Sequence, residues 1–409
     1  MADHYLLNPY KEIYKKTDGL FLLLSLLFFC SFFLETAAHR VVLYVMIPGF
    51  LWYFKNNKTL LLSMTKTRSF IVMAAYLIYF SISATWSQGV AALTVLNGVK
   101  EGLCIAIFSA ALALGVLTNR GKLSREELFI ASLPVIGLMG LAIILFTLNN
   151  PSLAGGRLIA PGRYENPIHY GIFGGVFTLF LVSLGKLKPL KLELTRQAAI
   201  AFTLIVIGLT KSRTAFVAFA ANILGLGLLG RARTALILLS FAITAALTCF
   251  LIWDLSLTRI VAKADNNRFA IWTLAVEEIR ARPLAGYGIA DESKFTLPGM
   301  SKNHAWKSTH NIILGHLHTG GIIGFFFFVL LFSQIAYSNL KAYLQSRACD
   351  SKCFLPFFAL MLTIFGLVSS QFVFSHFAVN MNIQWLIFWV PFAFAWAFEV
   401  ERKRQGSPD

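Results

Sequence analysis

Apolar runs of roughly fifteen to twenty-five residues recur along the whole chain, from "LFLLLSLLFFCSFFL" near its start to "WLIFWVPFAFAWAF" near its end. Hydrocarbon tolerates only structures that satisfy every backbone N–H and C=O internally, which means helices or closed barrels. The alternating ten-residue pattern of a barrel strand is absent. The fold class is therefore all-α, a polytopic membrane bundle. Composition agrees: 57% of the 409 residues are hydrophobic and 13% charged, with a mean hydropathy of +0.68, far from average soluble usage.

About twelve spans are predicted, over 20–35, 40–54, 69–86, 102–118, 128–148, 168–185, 197–210, 214–230, 234–253, 311–337, 354–374 and 380–398. Spans one to nine occupy 1–253 and spans ten to twelve 311–398, with a tail at 399–409. The long loop 254–310 is the one candidate for a domain outside the membrane. If the N-terminus is cytoplasmic, 22 of the 36 Lys and Arg fall in cytoplasmic segments, six in short outer loops and eight in the long outer loop. That bias predicts that both termini face the cytoplasm. Lys11, Lys15 and Lys16 precede the first span, which reads as its own uncleaved signal.

The net charge of +17 would suggest nucleic acid in a soluble chain. Here it matches loops on an anionic membrane face, and no nucleic-acid motif accompanies it. Cys30, Cys104 and Cys249 lie in apolar runs and Cys349 and Cys353 in a short loop, so no disulfide framework is expected.

The unusual residues gather at helix starts on the outer face. Arg163 precedes "ENPIHYG", in which Pro167 suits a first helical position and His169 falls in the first turn. Lys211 and Arg213 sit in "LTKSRTAF" before an outside-to-inside span. Arg268 follows Asp265, Asn266 and Asn267, which read as N-cap residues of a loop helix with an apolar stripe at Phe269, Trp272, Val276 and Ile279. His310 follows Ser308 and Thr309, read as the cap of span ten. A cation at a helix N-terminus is mildly unfavourable, by about 0.3–1 kcal/mol. Several such cations together make sense around an anion such as a lipid phosphate or diphosphate.

No HExxH, Cys cluster or Asp-x-Asp occurs, and Glu35, Glu101 and Glu165 are the only carboxylates of the short outer loops, so no metal or cofactor is expected. His310 is placed for proton transfer. His316 and His318, read as one and two turns deeper, are expected to bond between helices. Gly320, Gly321 and Gly324 would permit close packing there.

"KSRTAF", "PLAGYGI", "NRFAIW" and "STHNIILGHLHTGGIIGFFFF" together resemble the marks of the O-antigen ligase/polymerase superfamily. The layout of about twelve spans, with one large loop between spans nine and ten, is similar too. The resemblance implies an inner-membrane glycosyltransferase of lipopolysaccharide biosynthesis with a periplasmic site. It would move a polysaccharide from undecaprenyl diphosphate to lipid A–core, with inversion and without a metal. It assigns the diphosphate to Arg213 and Arg268 and the base to His310, with Arg163, Lys211 and His169 as further donor or acceptor contacts. A polymerase joining lipid-linked repeats is the alternative; it commonly carries a second Arg-rich outer loop, whereas the loop here holds Arg157 and Arg163 alone. A transporter of the same lipid is remoter, since no repeats and no mid-span charges are seen.

Overall fold

The computed structural model describes residues 19–34, 36–87, 92–149, 156–162, 165–229, 239, 267–290, 295, 308–347, 354–373 and 382–406. Helices account for the architecture: α1 (Gly19–Ser31), α2 (Thr36–Asn56), α3 (Lys58–Met64), α4 (Arg68–Ser83), α5 (Ala92–Asn119), α6 (Arg125–Asn149), α7 (Pro167–Ser183), α8 (Leu190–Thr210), α9 (Arg213–Leu228), α10 (Arg268–Ala281), α11 (Ile312–Ser346), α12 (Phe354–Ser370) and α13 (Val390–Arg404). Five of the described helical stretches are long and apolar enough to cross a membrane: Arg68–Trp86, Val95–Asn119, Arg125–Asn149, Leu190–Thr210 and Ile312–Ser346. Helices α7, α9 and α12 are apolar but shorter. The span expected at 234–253 lies outside the described residues apart from Leu239.

The centre of the bundle is α13 with the π-helical turn Trp385–Trp389 before it. Every residue from Ile383 to Val400 is buried, including Trp385, Trp389 and Trp396. A helix apolar on all sides belongs inside. Its last turns carry polar groups that bond to neighbouring helices. Glu399 accepts hydrogen bonds from the backbone N–H groups of Arg68 (2.8 Å) and Ser69 (3.0 Å), the Ser69 hydroxyl (2.6 Å) and the Gln334 amide (3.1 Å). A buried carboxylate at the N-terminus of α4 thereby offsets both its own desolvation and the orphan donors of that helix.

Span ten departs from the expected single rod. Gly321 interrupts α11 with φ 60° and ψ −162°, a conformation open only to glycine. His316 and Phe328 stack with centroids 4.1 Å apart. Twelve residues of straight helix would separate them by about 18 Å. Ile312 also shares a small cavity wall with Phe332 and Ile335. The chain therefore folds back at the glycine, and a first arm, 312–320, runs along a second, 322–346.

The break is filled by the segment that follows α10. The N–H groups of Ile322 and Ile323, which open the second arm, donate to the carbonyls of Pro283 (2.8 Å) and Leu284 (3.2 Å). The carbonyls of His318 and Thr319, which close the first arm, accept from Tyr287 (2.9 Å) and Gly288 (2.8 Å). Four groups left unpaired by the interruption thus find partners in one loop. Helix α4 holds that loop from the other side: Trp86 donates to Ala285 O at 3.2 Å, and Ser83 Oγ accepts from the Ile289 N–H at 3.0 Å.

Candidate functional site

His310 sits at the free tip of the first arm. Its backbone is left-handed (φ 50°), and its N–H donates to Ser308 Oγ at 3.1 Å. The helix cap is Asn311, whose side-chain oxygen accepts from the N–H groups of Ile313 and Leu314, both at 3.0 Å. Ser308 and Thr309 shape the turn and are not the cap that the sequence suggested. Thr309 Oγ1 donates to Asn311 O at 3.0 Å, and Thr309 O accepts from Trp272 Nε1 at 3.0 Å.

That last bond brings α10 beside the tip. The buried face of α10 carries Ile271 and Ala275, packed with Phe295. The expected stripe is thus displaced by a residue: Trp272, Val276 and Ile279 are half-buried and Phe269 is 68% exposed. Asn267 occupies the N-cap position with left-handed backbone (φ 59°) and no side-chain capping bond; Asp265 and Asn266 lie outside the described residues. Arg268 donates from Nη2 to Phe372 O at 3.3 Å and stands 5.3 Å over the Phe372 ring. Burial, and then the Arg268 charge, hold the His310 imidazole below its ordinary pKa. At neutral pH it is uncharged and able to accept a proton.

A second cationic pair lies at the turn between α8 and α9. Ser212 caps α9 by accepting from Ala215 N–H at 3.3 Å, which leaves Arg213 as the first helical residue. Lys211 caps the end of α8 in the left-handed conformation (φ 50°, ψ 34°). Arg157 donates from Nε to Thr210 O at 3.0 Å. Its Nη2 donates to Lys211 O at 3.5 Å, which seats Arg157 at the turn that Arg213 follows; burial, and then the Arg213 charge, lower its pKa. Sequence reasoning counted Arg157 among the outer basic residues but did not select it; its place beside Arg213 depends on the pairing of Leu158 N–H with Leu209 O at 2.9 Å.

The start of α7 packs against this turn. A Cβ on Gly171 would stand 2.7 Å from Thr210 Oγ1 and 2.9 Å from Ser212 Cβ. His169, half-buried in the first turn after the Asn166 cap, shares that end of the bundle. Gly175 and Phe180 of α7 meet Phe365 and Phe358 of α12, which sets those two helices antiparallel, so Phe372 lies at the same end of the bundle as the start of α7 and the turn before Arg213. Arg163 and Glu35 lie outside the described residues.

The other two histidines bond between helices, as expected, though not at the expected depth. The fold-back makes His310, and not His318, the residue farthest from the break. His316 is fully buried; its Nδ1–H donates to Ile312 O at 2.7 Å and its Nε2 accepts from Tyr76 OH at 3.0 Å. His318 Nε2–H donates to Glu278 of α10 at 2.6 Å and stacks on Tyr287 at 4.9 Å. Glu278 and Tyr287 were not read as partners from the sequence. Of the glycines, Gly320 and Gly324 face Phe80 closely, whereas Gly321 forms the turn. Among the described residues no group of three His, Cys, Asp or Glu could hold a metal ion.

The three left-handed non-glycine residues among those described are Lys211, Asn267 and His310. Each lies one or two residues from Arg213, Arg268 or Asn311, so each falls inside one of the three motifs. Strain of this kind, on the order of 1–3 kcal/mol each, persists where the surroundings hold it, and it clusters at functional sites.

The sequence profile of the O-antigen ligase family matches residues 198–329. An O-antigen ligase of Pseudomonas aeruginosa is 26% identical over 377 residues, covering 90% of this chain and 87% of that protein. The stretch that contains all three motifs is therefore similar to the O-antigen ligase family, and along nearly its whole length the chain is similar to a named O-antigen ligase.

Proposed function

We propose that the chain is an inverting glycosyltransferase of lipopolysaccharide biosynthesis, acting as an O-antigen ligase on the periplasmic side of the inner membrane, with about twelve spans, both termini cytoplasmic and 254–310 as its periplasmic domain. The donor is a polysaccharide on undecaprenyl diphosphate and the acceptor is lipid A–core. The observation that carries this reading is the bond from Trp272 to Thr309 O at 3.0 Å, which brings the start of the helix headed by Arg268 beside His310, with left-handed backbone at His310 and at Asn267 next to Arg268.

In the proposed reaction the acceptor hydroxyl oxygen attacks the anomeric carbon as the bond from that carbon to the diphosphate oxygen breaks. His310 takes the hydroxyl proton. The charge that develops on the leaving diphosphate is met by Arg268 and Arg213, with Arg157 and Lys211 near it, and with Arg163 and His169 as further donor or acceptor contacts argued from the sequence. A guanidinium held in place, as Arg268 is by Phe372, stabilises that charge with little reorganisation. The protein itself supplies the charge neutralisation and the proton acceptor, so no metal enters the scheme.

The test is reconstitution of the purified chain, with chelator present, with undecaprenyl-diphosphate-linked glycan and either lipid A–core or a second lipid-linked repeat. Glycan joined to lipid A–core, and lost in His310→Ala, supports the ligase. Growth on the lipid-linked repeat alone would make the chain a polymerase. Transbilayer movement of the lipid without either product would exclude a transferase, and a strict need for added divalent cation would overturn the metal-free mechanism.

A further inference from the structure

At the opposite end of α7 and α8 from Arg213, the bundle encloses a cavity of about 1240 Å³. That exceeds the roughly 300–1,000 Å³ of most small-molecule sites. Its walls are apolar and aromatic, drawn from several helices and including Phe28, Phe108, Phe177, Phe180, Phe358 and Phe394. Phe108 to Asn119, both lining it, mark about 16 Å of α5 from the helix interior to its end. The cavity is therefore deep enough to take hydrocarbon chains lengthwise.

Its rim has a different chemistry. Arg120, Arg125, Lys186, Lys188 and Arg404 line it together with the carboxylates Glu126 and Glu401. Both carboxylates are engaged already: Glu401 is ion-paired with Arg120, and Glu126 accepts from Lys188 N–H at 3.1 Å. Arg125 donates to Leu184 O at 3.3 Å. The rim keeps an excess of positive charge directly above an apolar shaft. Neither the reacting groups at His310 nor those at Arg213 belong to it.

We propose that this cavity is a structural site for an anionic phospholipid, with its acyl chains among the phenylalanines and its phosphate on the rim formed by Lys186, Lys188 and Arg404. Charge complementarity selects the occupant. A zwitterionic lipid fills the shaft equally well but has less to gain at the rim, and a soluble anion gains nothing from the shaft.

The experiment uses the full-length chain, delipidated in neutral detergent, titrated with phosphatidylglycerol or with phosphatidylcholine of the same chains, with bound lipid read by native mass spectrometry. Phosphatidylglycerol binds more tightly. Lys186→Ala/Lys188→Ala weakens it by about fivefold for each lysine removed and leaves phosphatidylcholine unchanged. Both lysines are exposed, so the double variant keeps its fold, which unchanged helical circular dichroism verifies. Arg404→Ala, at a second exposed rim position, repeats the test independently. Equal affinity for the two lipids would overturn the proposal, as would phosphatidylglycerol binding unchanged in both variants. Binding of glycerol phosphate as tight as that of the lipid would show a soluble-anion site instead.

Discussion

Gly321→Ala tests whether the fold-back of α11 is what holds the His310 tip in place. At φ 60° and ψ −162° the position excludes any L side chain, at a cost of about 1–3 kcal/mol. The added methyl would overlap the Leu284 carbonyl and lie 2.6 Å from Ala285 N, and backbone atoms cannot move aside as a side-chain end can. The 283–288 loop must therefore lift. Lifting it loses the four bonds from Ile322, Ile323, Tyr287 and Gly288. At about 0.5–1.5 kcal/mol net each, that is roughly 2–6 kcal/mol. The loop follows α10, so Arg268 and the Trp272 bond to Thr309 shift with it. A displacement of reacting groups by an ångström costs on the order of a hundredfold in rate. The assay is transfer to lipid A–core, alongside limited proteolysis between 282 and 290. Transfer should fall about a hundredfold while the loop becomes cleavable. Gly137→Ala, a helical site in α6 with open space around the new methyl, should leave both unchanged. Wild-type transfer and a protected loop in Gly321→Ala would refute the reasoning.

Three further outcomes follow from the same geometry. His310→Ala should abolish transfer at normal membrane abundance, whereas His316→Ala, which removes the bond to Tyr76 OH and opens space beside Phe328, should lower thermal stability first; paired activity and melting measurements separate the two. A base of lowered pKa is uncharged from neutral pH downward to that pKa, so transfer should hold as pH falls to the ordinary imidazole range and decline only below it. Arg268→Gln removes a charge that depresses His310, so the acidic limb of its residual activity should move to higher pH, while Arg268→Lys leaves the limb in place; a pH–rate profile decides. Glu399→Ala leaves the N–H groups of Arg68 and Ser69 unpaired in the core and should destabilise the chain by about 2–5 kcal/mol, read as a lower melting temperature.

Much of the fold was legible because its causes are local. Apolar runs set where helices lie, and caps set where they begin: Asn166, Ser212 and Asn311 all accept bonds from the first turn that follows them. The three motifs stood out as candidate sites because residues such as Arg213 and Arg268 at helix starts run against the helix dipole, a placement that a bound anion would relieve. What the sequence could not disclose was decided by contacts between distant segments. "HTGGIIG" has the form of a packing stripe in a straight span. It became a fold-back because "PLAGYG", more than thirty residues earlier, supplies the donors and acceptors that a break at Gly321 leaves unpaired. The pairing of His318 with Glu278, of Arg157 with Thr210 O, and of Glu399 with the start of α4 has the same origin. Sequence by itself determined which groups must be buried or bonded; only the tertiary structure decided with whom, since a hydrogen bond is indifferent to separation along the chain.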